Sequence, residues 1–145
     1  MIALIQKVSY AKVFLCSELY SEIGEGLLVL VGVEKKDSTI NAERLADKLL
    51  SYRIFDDDLG KMNLSVKDKE GDVMLVPQFT LAADTNKGLR PSFSSAKPPR
   101  EAEKIFEYFL EFAKNLYPKI SSGKFGADMR ILLENNGPLT FHLKS

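Results

Sequence analysis

Tryptophan is absent, cysteine and histidine occur once each as Cys16 and His142, and 20 basic side chains are matched by 20 acidic ones. Each scarcity excludes something. A lone cysteine closes no internal disulfide, which fits a reducing, cytoplasmic setting, and with one histidine it cannot complete a Cys/His zinc site. No motif calls for a metal or any other cofactor. A formal net charge of zero leaves any nucleic-acid contact to a local patch. Met1-Ile2-Ala3-Leu4-Ile5 lacks the long apolar core and cleavage site of a signal peptide. No run approaches the length of a membrane span, so a soluble protein is expected. Neither is there a Gly-x-Ser-x-Gly elbow. A Ser-His-Asp or Cys16-His142 hydrolase would rest wholly on His142, which lies in an apparent strand where a lone histidine is more often structural.

What is present suits one domain. The 145 residues, 45% hydrophobic and 28% charged, can bury a real core but leave no room for a second unit. Ile2 to Phe14 reads as two half-buried strands joined near Tyr10, and Gly24-Glu25-Gly26 as a turn. Leu27 to Val33 is an uninterrupted apolar run, the pattern of a central strand covered on both faces. Ser38 or Thr39 caps a helix whose Ala42, Leu45, Ala46 and Leu49 form one stripe ending near Tyr52. Asp56-Asp57-Asp58-Leu59-Gly60 lacks the spacing of a calcium loop and reads as a solvated turn. Met62 to Val66 and Asp68-Lys69-Glu70-Gly71 predict a short strand and a hairpin turn. Pro98 and Pro99 preset a second helix, with Ala102, Ile105, Phe106, Phe109, Ala113 and Leu116 on its apolar face, that stops at Pro118. Ile131 to Leu133 predicts a strand, Asn135-Asn136-Gly137-Pro138 a turn, and Leu139 to Leu143 a last strand. The expected class is α/β: an antiparallel-rich, barrel-like sheet with two main helices.

Chemistry concentrates in the stretch from Val73 to Phe93. An apolar strand, Val73 to Val76, ends at Pro77, which removes a ladder donor. Gln78 and Thr80 then put polar side chains where burial should be deep, so Gln78 either holds the turn or meets a ligand. Asp84-Thr85-Asn86-Lys87-Gly88 is turn-rich, and Leu89 and Phe93 are expected to anchor the loop. Lys87, Arg90, Lys97, Arg100 and Lys104, set against Glu101 and Glu103, leave 87–104 net positive, a pattern also common on solvated surfaces. Ser121-Ser122-Gly123-Lys124-Phe125-Gly126-Ala127-Asp128-Met129 is not a P-loop, because Phe125 follows the lysine. Asp128 is the one candidate general base among these polar clusters. An enzyme built this way must work through positioning and backbone donors, or borrow a group from its substrate.

Ordered motifs span the chain: Met-x-Ala-x-Ile-Gln-x-Val, Gly-x-Gly-Leu-Leu-Val-Leu, Gly-Lys-Met-Asn-Leu-Ser, Gln-Phe-Thr-Leu, Lys-Gly-x-Arg-Pro-Ser-Phe, Phe-Gly-Ala-x-Met and Asn-x-Gly-Pro-x-Thr. In these the sequence resembles the D-aminoacyl-tRNA deacylase family, also called D-tyrosyl-tRNA deacylase. The resemblance implies hydrolysis of the ester joining a D-amino acid to the terminal adenosine of tRNA, extended to glycyl-tRNA mischarged on tRNA(Ala), in a homodimer with one site per subunit. Gln78, Phe79 and Thr80 would form one catalytic wall, with backbone N–H groups for the oxyanion. Thr80 has also been proposed as nucleophile, against a substrate-assisted route through the ribose 2′-hydroxyl. Gly137 and Pro138, joined by a cis bond and inserted from the partner subunit, would exclude an L side chain. Gly123, Phe125, Gly126, Ala127 and Met129 would shape the adenosine pocket. The family usually has serine at the position of Pro77; a branch with relaxed chiral selectivity shares the proline but is smaller at Phe79. The rival readings are a non-catalytic RNA-binding module, against which the shortage of closely spaced exposed aromatics counts, and a deacylase of relaxed selectivity.

Overall fold

The computed structural model describes residues 1–86 and 88–145. In chain order its elements are β1 (Ile2–Leu15), β2 (Glu18–Ile23), β3 (Gly26–Gly32), α1 (Thr39–Ser51), β4 (Phe55–Asp56), β5 (Met62–Leu64), β6 (Asp72–Pro77), a 3-10 turn (Phe79–Ala82), α2 (Pro99–Leu116), β7 (Ile120–Ser122) and β8 (Arg130–Lys144).

The sheet is built on β1, which pairs antiparallel with β8 on one side and with β3 and then β2 on the other. The join expected near Tyr10 does not occur. Instead the register against β8 shifts between Gln6 and Val8 and again between Val8 and Tyr10. The buried side chains change cluster across these shifts, from Ala3 and Ile5 in one to Val8, Ala11 and Val13 in the other. A bend does what a turn was expected to do. The reversal into β2 falls at Cys16-Ser17, with φ 48° and 70°, the positive-φ geometry of a two-residue hairpin without the glycine that usually announces it.

From β1 the order runs β2-β1-β3-β6-β7, and β6 lies parallel to both of its neighbours. The Ser21 hydroxyl donates to Ser122 O at 2.9 Å, so the end strands β2 and β7 meet and the mixed sheet is a nearly closed barrel. The expected hairpin turn at 68–71 is corrected: β5 pairs with β4, and β6 with β3. That segment therefore links a small ribbon to the main sheet.

Both helices follow from local chemistry. Asn41 Oδ1 accepts the Ser38 N–H at 3.0 Å at the start of α1, and Ala42, Leu45, Ala46 and Leu49 are buried as their spacing requires. Pro99 begins α2, which buries Ala102, Phe106, Phe109 and Ala113; Leu116, expected on that face, is 38% exposed. The helices pack with Leu27, Val29 and Val31 of β3 and Val73 and Leu75 of β6. Leu28, Met74 and Val76 point the other way, into a second cluster with Val8, Ala11 and Val13. Strands β3 and β6 are thus apolar on both faces. At about 1.5–3 kcal/mol for each large side chain fully buried, they are the least replaceable part of the fold.

The anchoring role expected of Leu89 is also corrected, since its side chain is wholly exposed. The loop is tied elsewhere. Asp84 and Ser92 exchange backbone hydrogen bonds of 2.8 and 3.0 Å, the Ser95 hydroxyl donates to Ala82 O, and Lys97 N–H donates to Val33 O at 3.1 Å.

Candidate active site

The parallel strands β3 and β6 end together, and the chain leaves β6 through Pro77 into the 3-10 turn. Gln78 N–H donates to Val31 O at 2.7 Å, which fixes where the turn begins. Its hydrogen-bond ladder starts with Leu81 N–H to Gln78 O, at 3.3 Å. The Phe79 and Thr80 N–H groups are therefore the pair that an opening helical turn leaves without internal acceptors. Gly32 makes this packing possible: a Cβ there would lie 2.9 Å from Leu81 Cβ and 3.2 Å from Gln78 O.

A cavity of about 510 Å³ opens beside this turn, lined by Pro77, Gln78 and Phe79 on one side and by Phe125, Gly126, Ala127, Asp128 and Met129 on the other. Two stretches far apart in sequence, both singled out above, thus face one another. Pro99 and Ile131 complete the lining; sequence reading had assigned both only to structural elements. Phe125 is held from behind by Phe106 of α2, ring centroids 6.1 Å apart. Gly126 has φ 71°, a left-handed turn that favours glycine.

Gly123 is buried behind the cavity and does not line it. A Cβ at this position would lie 2.8 Å from Met129 Sδ and 3.5 Å from Pro77 Cδ, so its contribution is to let those two lining residues close together. Thr80 is likewise outside the lining, and the depth expected around Gln78 and Thr80 is corrected: Gln78 is half-buried and Thr80 exposed. The Gln78 side-chain amide donates to Thr80 Oγ1, so Gln78 holds the turn. Phe79 is 59% exposed and packs against Phe93, centroids 5.2 Å apart, forming an aromatic rim.

Gly137 and Pro138 stand apart from this cavity, and the peptide between them is cis. They are not in a turn between two strands. Thr140 pairs with Gln6 and Asn135 with Val8, so residues 136–139 bulge out opposite Lys7 while both arms of β8 stay on β1. Gly137 has φ 125°, and a Cβ on it would lie 2.8 Å from Leu139 Cγ; the loop's own geometry demands glycine.

The chemistry available is narrow. Among the described residues no group of three or more His, Cys, Asp or Glu side chains could hold a metal ion, and Asp128 is the one carboxylate lining the cavity. Cys16 sits beyond the far end of β1 from Leu4, which faces His142 across the ladder, so those two cannot act as a dyad. Of the basic stretch, Lys97 donates to Lys35 O at 3.0 Å and approaches Glu101 at 3.8 Å. It is a structural cation. Arg90, Arg100 and Lys104 are exposed, and Lys87 lies outside the described residues. Asp57 Oδ1 accepts the Leu59 and Lys61 N–H groups at 2.9 and 3.0 Å, the solvated turn expected of that acidic run. No helix among the described residues is long and apolar enough to cross a membrane.

Comparison with known proteins agrees with this geometry. The family model for D-Tyr-tRNA(Tyr) deacylase matches residues 4–144. The chain is 54% identical over 143 residues to a D-aminoacyl-tRNA deacylase of Haemophilus influenzae (strain PittEE), covering 99% of each. It is 52% identical over 143 residues to the enzyme of the same name from Pseudomonas aeruginosa (strain LESB58), again covering 99% of each. A solved structure, the c-Myc DNA Unwinding Element Binding Protein, superposes with a TM-score of 0.96 at 38% identity, over 100% of this chain and 99% of that one. With end-to-end matches at this identity, the chain belongs to the D-aminoacyl-tRNA deacylase family.

Proposed function

We propose that this cavity receives the 3′-terminal aminoacyl-adenosine of tRNA and that the chain hydrolyses the ester of D-aminoacyl-tRNA there, releasing a D-amino acid and tRNA. The observation that carries the reading is a 3-10 turn that opens beside the cavity with the Phe79 and Thr80 N–H groups unbonded, and a cavity lining with no activated nucleophile, both among the described residues. Donors fixed by the fold need no reorganisation as charge develops on the ester carbonyl oxygen, and each typically accounts for ~10²–10³ in rate. The Thr80 hydroxyl is occupied by Gln78, has no base beside it among the described residues and does not line the cavity, so it serves poorly as nucleophile. The substrate's ribose 2′-hydroxyl then assists water in attacking the carbonyl. Phe125, Met129, Ile131 and Pro99 supply apolar walls for the adenine, Gly126 and Ala127 leave it room, and Gly123 lets Met129 and Pro77 close together behind it.

Gly137 and Pro138 complete the site from a partner subunit of a homodimer, where their backbone excludes an L side chain. Their position outside their own chain's cavity supports a contribution in trans. The same steric rule admits glycyl-tRNA mischarged on tRNA(Ala), which has no side chain to exclude, and aminoacyl-tRNA as substrate puts the reaction in the cytoplasm. The RNA-binding alternative is disfavoured because the paired exposed aromatics, Phe79 and Phe93, sit on a turn and a loop at the cavity rim, whereas an RNA-stacking sheet displays them on a strand face.

The test is turnover. Catalytic amounts of protein should release D-tyrosine from D-tyrosyl-tRNA far faster than L-tyrosine from its counterpart, and light scattering should give the mass of a dimer. Stoichiometric tRNA binding without turnover favours the binding module; equal D and L rates favour the relaxed deacylase.

A further inference from the structure

Among the described residues, one side chain hydrogen-bonds across the base of the loop 136–139. Asn135 Nδ2 donates to Lys7 O at 2.9 Å and to Leu139 O at 3.0 Å, one bond to the strand on which the loop stands and one across the loop's own base. Both neighbours are carbonyl oxygens, so the amide must present its nitrogen to them, and both of its protons are used. Lys7 is the β1 residue skipped by the ladder, between Gln6↔Thr140 and Val8↔Asn135. Asn135 therefore replaces with its side chain the pairing that the bulge removes. Asn136, Gly137 and Pro138 are exposed, leaving the loop little other support.

We infer that Asn135 is the positioning residue that fixes the Gly137-Pro138 loop, and so sets how sharply D and L substrates are distinguished without touching either. This rests on the proposal that Gly137 and Pro138 form the wall against an L side chain. A backbone wall discriminates only if it cannot yield, and a clamp across its base keeps it from yielding. Asparagine is specifically required, because aspartate would oppose two carbonyl oxygens with a carboxylate and alanine would leave both unpartnered.

The experiment measures kcat and KM for D- and L-tyrosyl-tRNA with Asn135→Ala, Gly137→Ala and the double variant, alongside circular dichroism and melting curves. A folded Asn135→Ala should lose at least tenfold of the D-over-L ratio, and the same change in the Gly137→Ala background should add little. Should Asn135→Ala not fold, Asn135→Ser, which retains one donor on a shorter side chain, is read by the same criteria. Wild-type selectivity in a folded Asn135 variant, or fully additive effects in the cycle, overturns the inference provided Gly137→Ala is itself impaired. If Gly137→Ala keeps wild-type turnover and selectivity, the loop is no chiral wall, and the underlying reading is what has failed.

Discussion

Replacing Gly32 with alanine tests whether placement of the 3-10 turn sets the rate. The new methyl carbon would lie 2.9 Å from Leu81 Cβ and 3.2 Å from Gln78 O, with the first contact about 0.6 Å inside the ~3.5 Å at which carbon atoms pack comfortably. Neither neighbour is the end of a flexible side chain, so relief has to come from the backbone of the turn. Overpacking of this kind costs roughly 1–3 kcal/mol of stability. The activity should suffer more than the fold. Phe79 and Thr80 lie between Gln78 and Leu81, and a shift of several tenths of an ångström would move their N–H groups off the ester oxygen they are proposed to meet; misplacement by ~1 Å can cost about 10²-fold. The expected result is a melting temperature a few degrees lower and kcat reduced by roughly one to two orders of magnitude on D-tyrosyl-tRNA, with KM changed far less. Gly24→Ala is the control, since its Cβ would meet Asp72 Oδ2 at 3.6 Å, an ordinary contact. A folded Gly32→Ala protein with kcat within twofold of wild type would refute the oxyanion role assigned to the turn.

Thr80→Ala should keep its rate within about tenfold, because the hydroxyl is bound to Gln78 and lies outside the cavity lining; a loss of ~10²–10³ in folded protein would restore Thr80 as nucleophile. Acid should loosen two turns. The Lys61 and then the Leu59 N–H groups, with Asn63, hold the Asp57 carboxyl below its usual range, and the Ser65 hydroxyl and N–H do the same for Asp68. Both folded-state values are depressed, so the stability they contribute is complete above the ordinary value of 3.8 and is lost as pH falls through the lower, folded one. Carboxyl titration followed by NMR should give midpoints under the ordinary aspartate value; midpoints at or above it would contradict the hydrogen bonds.

Much of the fold was legible because local chemistry and tertiary role coincide in it. Ser38, the stripe through Leu49, Pro99 and the apolar run of β3 each specify their element without help from distant residues. The misreadings share another character. Cys16-Ser17 turns the chain with positive φ and no glycine, so nothing local marks it, whereas at Tyr10, the expected join, the strand only bends. That β6 pairs with β3 is decided by the faces the helices cover, which no window of sequence contains. The same limit governs the site. The stretches 78–80 and 123–129 stood out because polar residues and glycines interrupt apolar runs there, but Pro99 and Ile131 line the cavity for reasons of position alone. Gly32 read only as one residue within the apolar run Leu27 to Val33. Its importance appears only when the turn is seen lying on it.

Pro77 shows how the sheet reconciles a local oddity with the site it serves. Serine is the residue the resemblance places there, and proline was expected to remove a ladder donor. In a parallel pair successive N–H groups point to alternate sides, and Gln78 N–H points to β3, onto Val31 O. The missing donor of Pro77 therefore faces the opposite side, towards β7, whose last residue, Ser122, already pairs with Leu75. The ladder to β7 ends at that pair, and the ring replaces the donor that would extend it. The ring uses the vacant place: Pro77 Cδ would lie 3.5 Å from a Cβ on Gly123, so the proline fills space that the absent side chain of Gly123 leaves open. What the substitution removes is one hydroxyl and one backbone donor at the cavity wall, while the hydrogen bond that starts the 3-10 turn, from Gln78 N–H to Val31 O, stays in place. Chiral discrimination carried by backbone is accordingly insensitive to this exchange, whereas a hydroxyl-dependent mechanism would not be.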